Sequence, residues 1–339
     1  MSVIYRKIEV PVFIKIEHDC LKRIKDILAE QKLNFSNPLY IVSSRIAKLN
    51  MFPTDNIYIP QDCSLQEAEK VMSQIKDHDV IISVGGGKIL DLGKYAATKA
   101  KLNYISVPTS PSNDGIASPI AVLKNNQGIT ESLGVNMPMG VLVDLDLMKT
   151  APLENIRAGI GDLITNYSAL ADWQLAYQEK KEKIDDFAAS LAYSAADLIY
   201  SQQLQVDGTI NIKEEKFLKT LVNGLILSGI AMNIAGSSRP CSGSDHKISH
   251  AIDKLFPHTA PHGIQSAVGM IIVEKMRGKN ITDLISFYKS VGLPTNYKEL
   301  GLTKKQMIEA VSFAPQTRPN RYTILEKLNL SREQIEKFL

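Results

Sequence analysis

The apolar positions of this chain follow two different periods. Over the first 150 residues they form short runs of the kind shown by buried parallel strands, separated by stretches with helical spacing. Residues 12–16 are a short β-prone run, 18–31 have helical periodicity, 39–43 are an apolar run and 56–59 are another short strand. Ser64-Leu-Gln-Glu67 reads as a capping box that opens a helix to about Asp77. Val80-Ile-Ile-Ser-Val84 is a core strand, Gly85-Gly86-Gly87 ends it, 88–101 is helical and 104–107 is again a strand. Strands alternating with helices predict parallel βαβ units.

Past Thr150-Ala-Pro152 strands become scarce. Helical patterns run through 161–176, 185–200, 214–235, 244–255 and 263–276, and Ser331-Arg-Glu-Gln334 caps a last helix. The prediction is an α/β N-terminal Rossmann-like parallel-sheet domain over 1–150, followed by an all-α C-terminal domain over 151–339. The most apolar stretch, 221–235, is interrupted by Asn223, Gly224, Gly229 and Asn233. It is too short to cross a bilayer and predicts a buried helix.

Composition narrows the class. A length of 339 residues, 44% hydrophobic, suits two domains with their own cores. The net charge of +3 is spread along the chain, unlike the footprint of a nucleic-acid binder. Cys20, Cys63 and Cys241 have neither metal nor disulfide spacing, which indicates a reducing compartment. The first twenty residues carry Arg6, Lys7, Glu9 and Lys15 and no long apolar region, so no signal peptide is expected. The expectation is a cytoplasmic protein with neither a nucleic-acid nor a membrane partner.

Four of the six histidines fall between positions 246 and 262. His246 and His250 are one helical turn apart and share a face. His262 begins another helix, after Pro261, and Asp162 is expected in the first turn of its own. Asp162, His246 and His262 could bind one divalent metal and leave a coordination position open, as a catalytic site requires. His250 would then orient a ligand or relay a proton. His258 has no helical partner and reads as a loop residue. The ordinary alternative is a chance cluster of core and surface histidines.

Two loops offer anion and hydroxyl chemistry. Gly85, Gly86 and Gly87 permit close backbone approach, and the free amides of the helix start after them suit a pyrophosphate. Lys88 and Asp91 follow on that helix, and Lys94 shares a face with Asp91. The pattern is neither the Gly-x-Gly-x-x-Gly fingerprint nor a P-loop, and a tight turn with no ligand remains open. The second loop, Val107-Pro-Thr-Ser-Pro-Ser-Asn-Asp-Gly115, follows a strand end, where parallel sheets place ligands. Thr109, Ser110 and Ser112 could contact a nicotinamide carboxamide or a phosphate, and Asp114 a substrate hydroxyl. On composition alone, a surface loop competes with that reading.

At these residues the chain resembles the glycerol-1-phosphate dehydrogenases. The carriers are Gly85-Gly-Gly-Lys-Ile-Leu-Asp91-Leu-Gly-Lys94-Tyr-Ala-Ala97, Ser106-Val-Pro-Thr-Ser-Pro-Ser-Asn-Asp-Gly-Ile-Ala-Ser-Pro119, Gly161-Asp162, Gly243-Ser-Asp-His246-x-x-x-His250, Pro261-His-Gly263 and Arg321-Tyr-Thr-Ile-Leu-Glu-Lys-Leu328. The wider group contains glycerol dehydrogenases, iron-type alcohol dehydrogenases and, more distantly, dehydroquinate synthases. The resemblance implies a dehydroquinate synthase-like two-domain fold, NAD or NADP, and one zinc, nickel or iron ion on Asp162, His246 and His262. It places Gly86, Gly87, Asp91, Thr109 and Ser112 along the cofactor, and Asp114 and Ser118 near the substrate; Ser118 is carried as a cofactor contact too. Iron-type alcohol dehydrogenases have a second metal-binding His four residues after the Asp. Here that position is Asn166, which favours the glycerol or glycerol-phosphate branch.

The expected reaction interconverts sn-glycerol 1-phosphate and dihydroxyacetone phosphate, with the metal acting as Lewis acid and the nicotinamide carrying hydride. His250 or Asp114 would pass the proton. After residues 39–43 no acid follows to hold a ribose 2′-hydroxyl, and Arg45 could pair with a 2′-phosphate instead. The expected partner is a small polyol or polyol phosphate, and a homo-oligomer is expected from the family. The alternatives are a glycerol dehydrogenase, a lyase of dehydroquinate synthase type, and a sensor without turnover.

Overall fold

The computed structural model describes residues 8–202 and 208–339; Arg6 and Lys7 lie outside them. Two compact units partition the described chain. One takes residues up to Pro111 together with Gly115–Ala151, and the other takes Ser112–Asp114 together with Pro152–Leu339.

The first unit is a parallel sheet with helical crossovers. Its elements are β1 (Phe13–Glu17), α1 (Ile24–Glu30), β2 (Pro38–Val42), α2 (Ser44–Ala47), β3 (Ile57–Tyr58), α3 (Leu65–Gln74), β4 (Val80–Gly85), α4 (Gly87–Ala100), β5 (Asn103–Pro108), β6 (Ile120–Lys124), β7 (Thr130–Gly134), β8 (Gly140–Asp144) and α5 (Leu145–Lys149). Six strands form one sheet in the order β1-β8-β5-β4-β2-β3, and every pair in it is parallel. Alternate side chains enter different cores. Tyr40, Val42, Val80, Ile82, Val84, Ile105 and Val107 join one cluster, while Leu39, Ile41, Ile81 and Tyr104 join the other. Burial on both faces explains the near-continuous apolar runs. The chain leaves β2 towards β3 on one side and β4 towards β5 on the other, so direction reverses between β2 and β4. That reversal is where such sheets open a ligand crevice at the strand C-termini.

Several sequence expectations need correction. Residues 18–23 form turns, so the helix expected over 18–31 is only α1. Ser64 caps α3, but Glu67 does not reach back to it. Its carboxylate takes the Tyr58 hydroxyl at 2.9 Å, the Gln61 amide at 2.9 Å and Lys70 at 2.9 Å instead. The antiparallel hairpin β6–β7 was not expected, because β7 is mostly exposed and reads Thr-Glu-Ser-Leu-Gly with no apolar stripe. Neither was β8, whose five residues are all buried.

The second unit is helical, with α6 (Leu153–Ile164), α7 (Asn166–Lys180), α8 (Asp186–Tyr200), α9 (Glu215–Ala235), α10 (Ser244–Leu255), α11 (His262–Met276), α12 (Thr282–Val291), α13 (Lys304–Phe313), α14 (Ile324–Leu328) and α15 (Arg332–Ile335). The helix expected over 161–176 is two helices that meet at Thr165, so Asp162 lies in the last turn of α6 rather than in a first turn. α9 is long and apolar enough to cross a membrane by composition, but 61% of its apolar window is buried in the protein. It is a core helix, flanked by α8 and α6.

Candidate active site

Close contact between α6 and α11 brings the carboxylate to the imidazoles. A Cβ added at Gly161 would lie 2.3 Å from the Gly263 carbonyl oxygen. One added at Gly263 would lie 1.9 Å from the Ala158 carbonyl oxygen and 2.9 Å from the Asp162 amide nitrogen. Only glycine fits at either position, and each sits beside a candidate ligand. α10 is fixed from its first residue. Asp172 accepts from the Ser244 amide at 2.7 Å and from its hydroxyl at 2.6 Å, and is paired with Arg277.

Asp162, His246 and His262 each present a ligand atom, and these atoms lie within 4.8 Å of one another. His246 Nε2 is 3.5 Å from Asp162 Oδ1. Its Nδ1 is held by Asp245 Oδ1 at 2.6 Å. His262 Nδ1 is 2.8 Å from the Ser249 hydroxyl, which donates to Gln265 Oε1 at 2.8 Å. Since Ser249 has one proton and gives it to Gln265, His262 Nδ1 is the donor in its contact with Ser249. Gln265 is itself held by Asp253 at 3.0 Å and by the Ala260 carbonyl at 2.7 Å. Both rings therefore have Nδ1 protonated and turned to a support, the arrangement that metal-binding histidines receive; Nε2 of His246 shares its proton with Asp162 until a metal displaces it.

The charge state fits a cation. Burial pushes Asp162 up, but His246, His262 and the Asp114 amide more than offset it and hold the carboxyl below its ordinary value. Burial pulls His246 down, yet the carboxylates Asp162 and Asp245 raise it overall. Burial and the neighbouring His246 push His262 down to about 4. One imidazolium thus neutralises Asp162, where a divalent metal on the same three donors would do so more completely. The donor set fits one divalent metal, and one carboxylate with two imidazoles suits zinc, nickel and iron alike.

The other sequence candidates fall into place around this cluster or in the sheet unit. Asp114 donates its amide to Asp162 Oδ2 at 2.9 Å, and its carboxylate receives the Ser228 hydroxyl at 3.2 Å. His250 stacks obliquely on His262, with ring centroids 5.2 Å apart, and its Nε2 is buried without a partner. Burial, then the Arg318 charge, holds it well below its ordinary pKa, so it is neutral. His258 is in a loop with φ of 69°. Asn166 is fully buried and bonds the Ala192 carbonyl at 3.0 Å and the Ser228 hydroxyl at 3.2 Å.

In the sheet unit, Gly85 pairs with Pro108 across β4 and β5, and Thr109 donates its amide to the Gly85 carbonyl at 2.9 Å. The glycine turn and the second loop therefore start side by side. A Cβ on Gly86 would meet only Ser110 Oγ, at 4.0 Å, and no side chain caps the start of α4 at Gly87. That open, uncapped helix start fits a dinucleotide pyrophosphate. Lys88 is exposed on the first turn of α4. Asp91 turns inward, to Lys94 at 3.0 Å and the Val122 amide at 3.2 Å. Lys94 is fully buried and donates to the carbonyls of Gly115 at 2.8 Å and Ile120 at 2.6 Å. These two residues hold up the loop from below. Ser118 is buried and donates to the Ile120 carbonyl at 3.4 Å. Ser112 is half-buried in the segment that joins the second unit. Arg45 is exposed on α2 and bonds Thr150 at 3.0 Å. The supports Asp245, Ser249, Gln265 and Ser228 were missed, although Asp245 adjoins His246 in the chain and Gln265 lies three residues after His262.

The fold is that of the iron-containing alcohol dehydrogenase class. A family model described as iron-containing alcohol dehydrogenase matches residues 16–152. The crystal structure of a probable glycerol dehydrogenase from Sinorhizobium meliloti 1021 aligns with a TM-score of 0.76 at 21% identity, covering 98% of this chain and 97% of that one. The full-length relatives are more specific. The NAD(P)+ glycerol-1-phosphate dehydrogenase of Archaeoglobus fulgidus is 35% identical over 98% of this chain and 97% of its own length. The protein of the same name from Pyrococcus furiosus is 36% identical over 92% and 94%. The chain belongs to the glycerol-1-phosphate dehydrogenase family.

Proposed function

We propose that the protein is a metal-dependent NAD(P)-linked oxidoreductase that interconverts sn-glycerol 1-phosphate and dihydroxyacetone phosphate. The observation that carries this reading is the pair of imidazoles, His246 and His262, each with Nδ1 engaged by a support and a ligand atom close to Asp162. These three residues hold the metal, which when bound supplies Lewis acidity to the secondary oxygen of the substrate. NAD or NADP supplies or accepts the hydride. Gly86, Gly87 and the uncapped start of α4 bind its pyrophosphate, with Thr109, Ser110 and Ser112 along the adjoining loop and Gly85 at the turn's entry. Asp114, one hydrogen bond from Asp162, orients the substrate. Neutral His250, with an unused ring nitrogen, passes the proton. Arg45 is the candidate partner for a 2′-phosphate.

A four-way assay tests the proposal. Dihydroxyacetone phosphate and dihydroxyacetone are each supplied with NADH and with NADPH, and nicotinamide oxidation is followed by absorbance. Turnover of the phosphate ester, abolished in His246→Ala together with metal retention, is the expected result. Preference for the unphosphorylated ketone would replace this substrate with glycerol. A metal-replete, active His246→Ala would remove His246 from the ligand set.

A further inference from the structure

Two guanidinium groups in the helical unit share a pair of serines rather than a carboxylate partner. Arg239 is forked onto Glu182, Lys247 meets Glu326 and Arg277 meets Asp172. Among the described residues Arg318 and Arg321 form no ion pair. Arg318 follows the short turn Ala314–Thr317, which contacts α10, and Arg321 lies three residues on. Both converge on the same two serines. Arg318 Nη1 donates to Ser242 Oγ at 2.9 Å and to Ser238 Oγ at 3.2 Å. Arg321 Nη2 donates to Ser238 Oγ at 2.9 Å, and its Nη1 donates to the Ser242 carbonyl at 2.6 Å.

Most of the hydrogen-bonding capacity left in this cluster is donor capacity. Each guanidinium has five N–H groups, and these bonds use a minority of them. Ser238 Oγ accepts from both arginines, so its own proton is left to give. Ser242 Oγ accepts from Arg318 and likewise retains its proton. Partly desolvated positive charge beside unused donors is the chemistry that recognises a phosphate. Burial lowers the pKa of both arginines, and at Arg321 the Arg318 and Arg239 charges take it further, to about 9, so an anion between Arg318 and Arg321 would relieve both. The cluster also lies next to the reaction centre. Ser242 immediately precedes Gly243, the residue that caps α10, and His246 is about one turn along from that cap, roughly 5 Å of rise. The Arg318 charge is felt at both His250 and His262.

We propose that Arg318 and Arg321, with the Ser238 and Ser242 hydroxyls, form a clamp for the phosphate monoester of the substrate, placing its secondary carbon at Asp162, His246 and His262. This rests on the substrate reading above and names the residues that separate a phosphorylated from an unphosphorylated ketone.

The test compares wild type with Arg318→Met, Arg321→Met and Arg318→Lys, each assayed with both ketones and both nicotinamides. Inorganic phosphate binding is titrated calorimetrically on the metal-loaded proteins. The ratio of kcat/KM for dihydroxyacetone phosphate over dihydroxyacetone is expected to fall by roughly a hundredfold in each Met variant, since a bidentate charged contact to the ester is lost. Affinity for inorganic phosphate falls at least tenfold. Arg318→Lys, which keeps the charge without the fork, recovers part of the ratio and serves as the readout if a Met variant does not fold. An unchanged ratio with unchanged phosphate affinity overturns the clamp. A loss confined to NADPH reactions overturns it too, since the arginines would then hold the cofactor's 2′-phosphate. Wild type that prefers dihydroxyacetone yet binds inorganic phosphate through Arg318 would defeat the substrate reading and leave the anion site standing, so the two failures are distinguishable.

Discussion

Replacing Gly263 by Ala tests whether the α6–α11 crossing sets the metal-binding geometry. The new methyl carbon would lie 1.9 Å from the Ala158 carbonyl oxygen, whereas ordinary contact begins at 3.4 Å. The obstruction is backbone, so no rotamer change relieves it, and a gap of up to 1.5 Å must open between the two helices. Asp162 rides on α6 and His262 on α11. Metal–ligand distances tolerate only about ±0.2 Å, so most of that displacement is lost to coordination. The fold should survive, because overpacking typically costs about 1–3 kcal/mol, equivalent in a unit of this size to roughly 2–4 °C of Tm for each kcal/mol. The assay is metal counting by mass spectrometry after equilibration with limiting zinc, beside far-UV circular dichroism and kcat/KM for dihydroxyacetone phosphate. A helical protein with at least tenfold lower metal occupancy and proportionally lower activity, partly restored by excess zinc, is expected. Wild-type occupancy with wild-type kcat/KM would show that the crossing does not control the site, and the argument from glycine contact would be wrong.

Three further predictions rest on separate observations. Asp245→Asn weakens the hold on His246 Nδ1 and should lower metal affinity by about 10–100-fold, measured by competition with a chelating dye; unchanged affinity would leave Asp245 a purely structural residue. Lys94→Met strands the inward-facing Asp91 and should cost about 3–5 kcal/mol in urea unfolding, with Asp91→Asn in the same chain recovering part of it; a loss below about 1 kcal/mol would contradict the buried pairing. His246, raised to about 9, carries a proton at neutral pH that metal binding must displace. Apparent metal affinity should therefore climb with pH up to that value and level off above it, and calorimetry in buffers of different ionisation enthalpy should report close to one proton released per metal at pH 7.

The parts of the fold visible in the sequence are those with a one-dimensional signal. Strands β2, β4 and β5 are buried on both faces, so each is a run of apolar residues with a turn after it. β7 faces solvent along most of its length, and nothing in Thr-Glu-Ser-Leu-Gly separates it from a loop until its partner β6 is in place. The division of 153–180 into two helices was hidden for a related reason. α7 has buried Ser168, Asp172 and Asn166 among its apolar residues. These polar positions blur the periodicity because tertiary partners, Arg277 and Ser228 among them, satisfy the buried groups.

The site divides along the same line. His246 and His262 stood out because metal-binding imidazoles are rare and were dense. The residues that decide whether those imidazoles can bind metal are common ones, an Asp, a Ser and a Gln, and their role exists only as hydrogen bonds within α10 and between α10 and α11. Asp114 shows how far this goes. Its loop reads as part of the sheet domain, following β5 in the chain, yet Ser112–Asp114 belongs to the helical unit and its amide caps the Asp162 carboxylate. The loop that the sequence suggested for a cofactor or substrate hydroxyl is thus tied directly to a candidate metal ligand. A substitution at Asp114 would act on Asp162 as well as on substrate, and a change in metal affinity alongside a change in KM is the signature that separates this double role from a substrate contact alone.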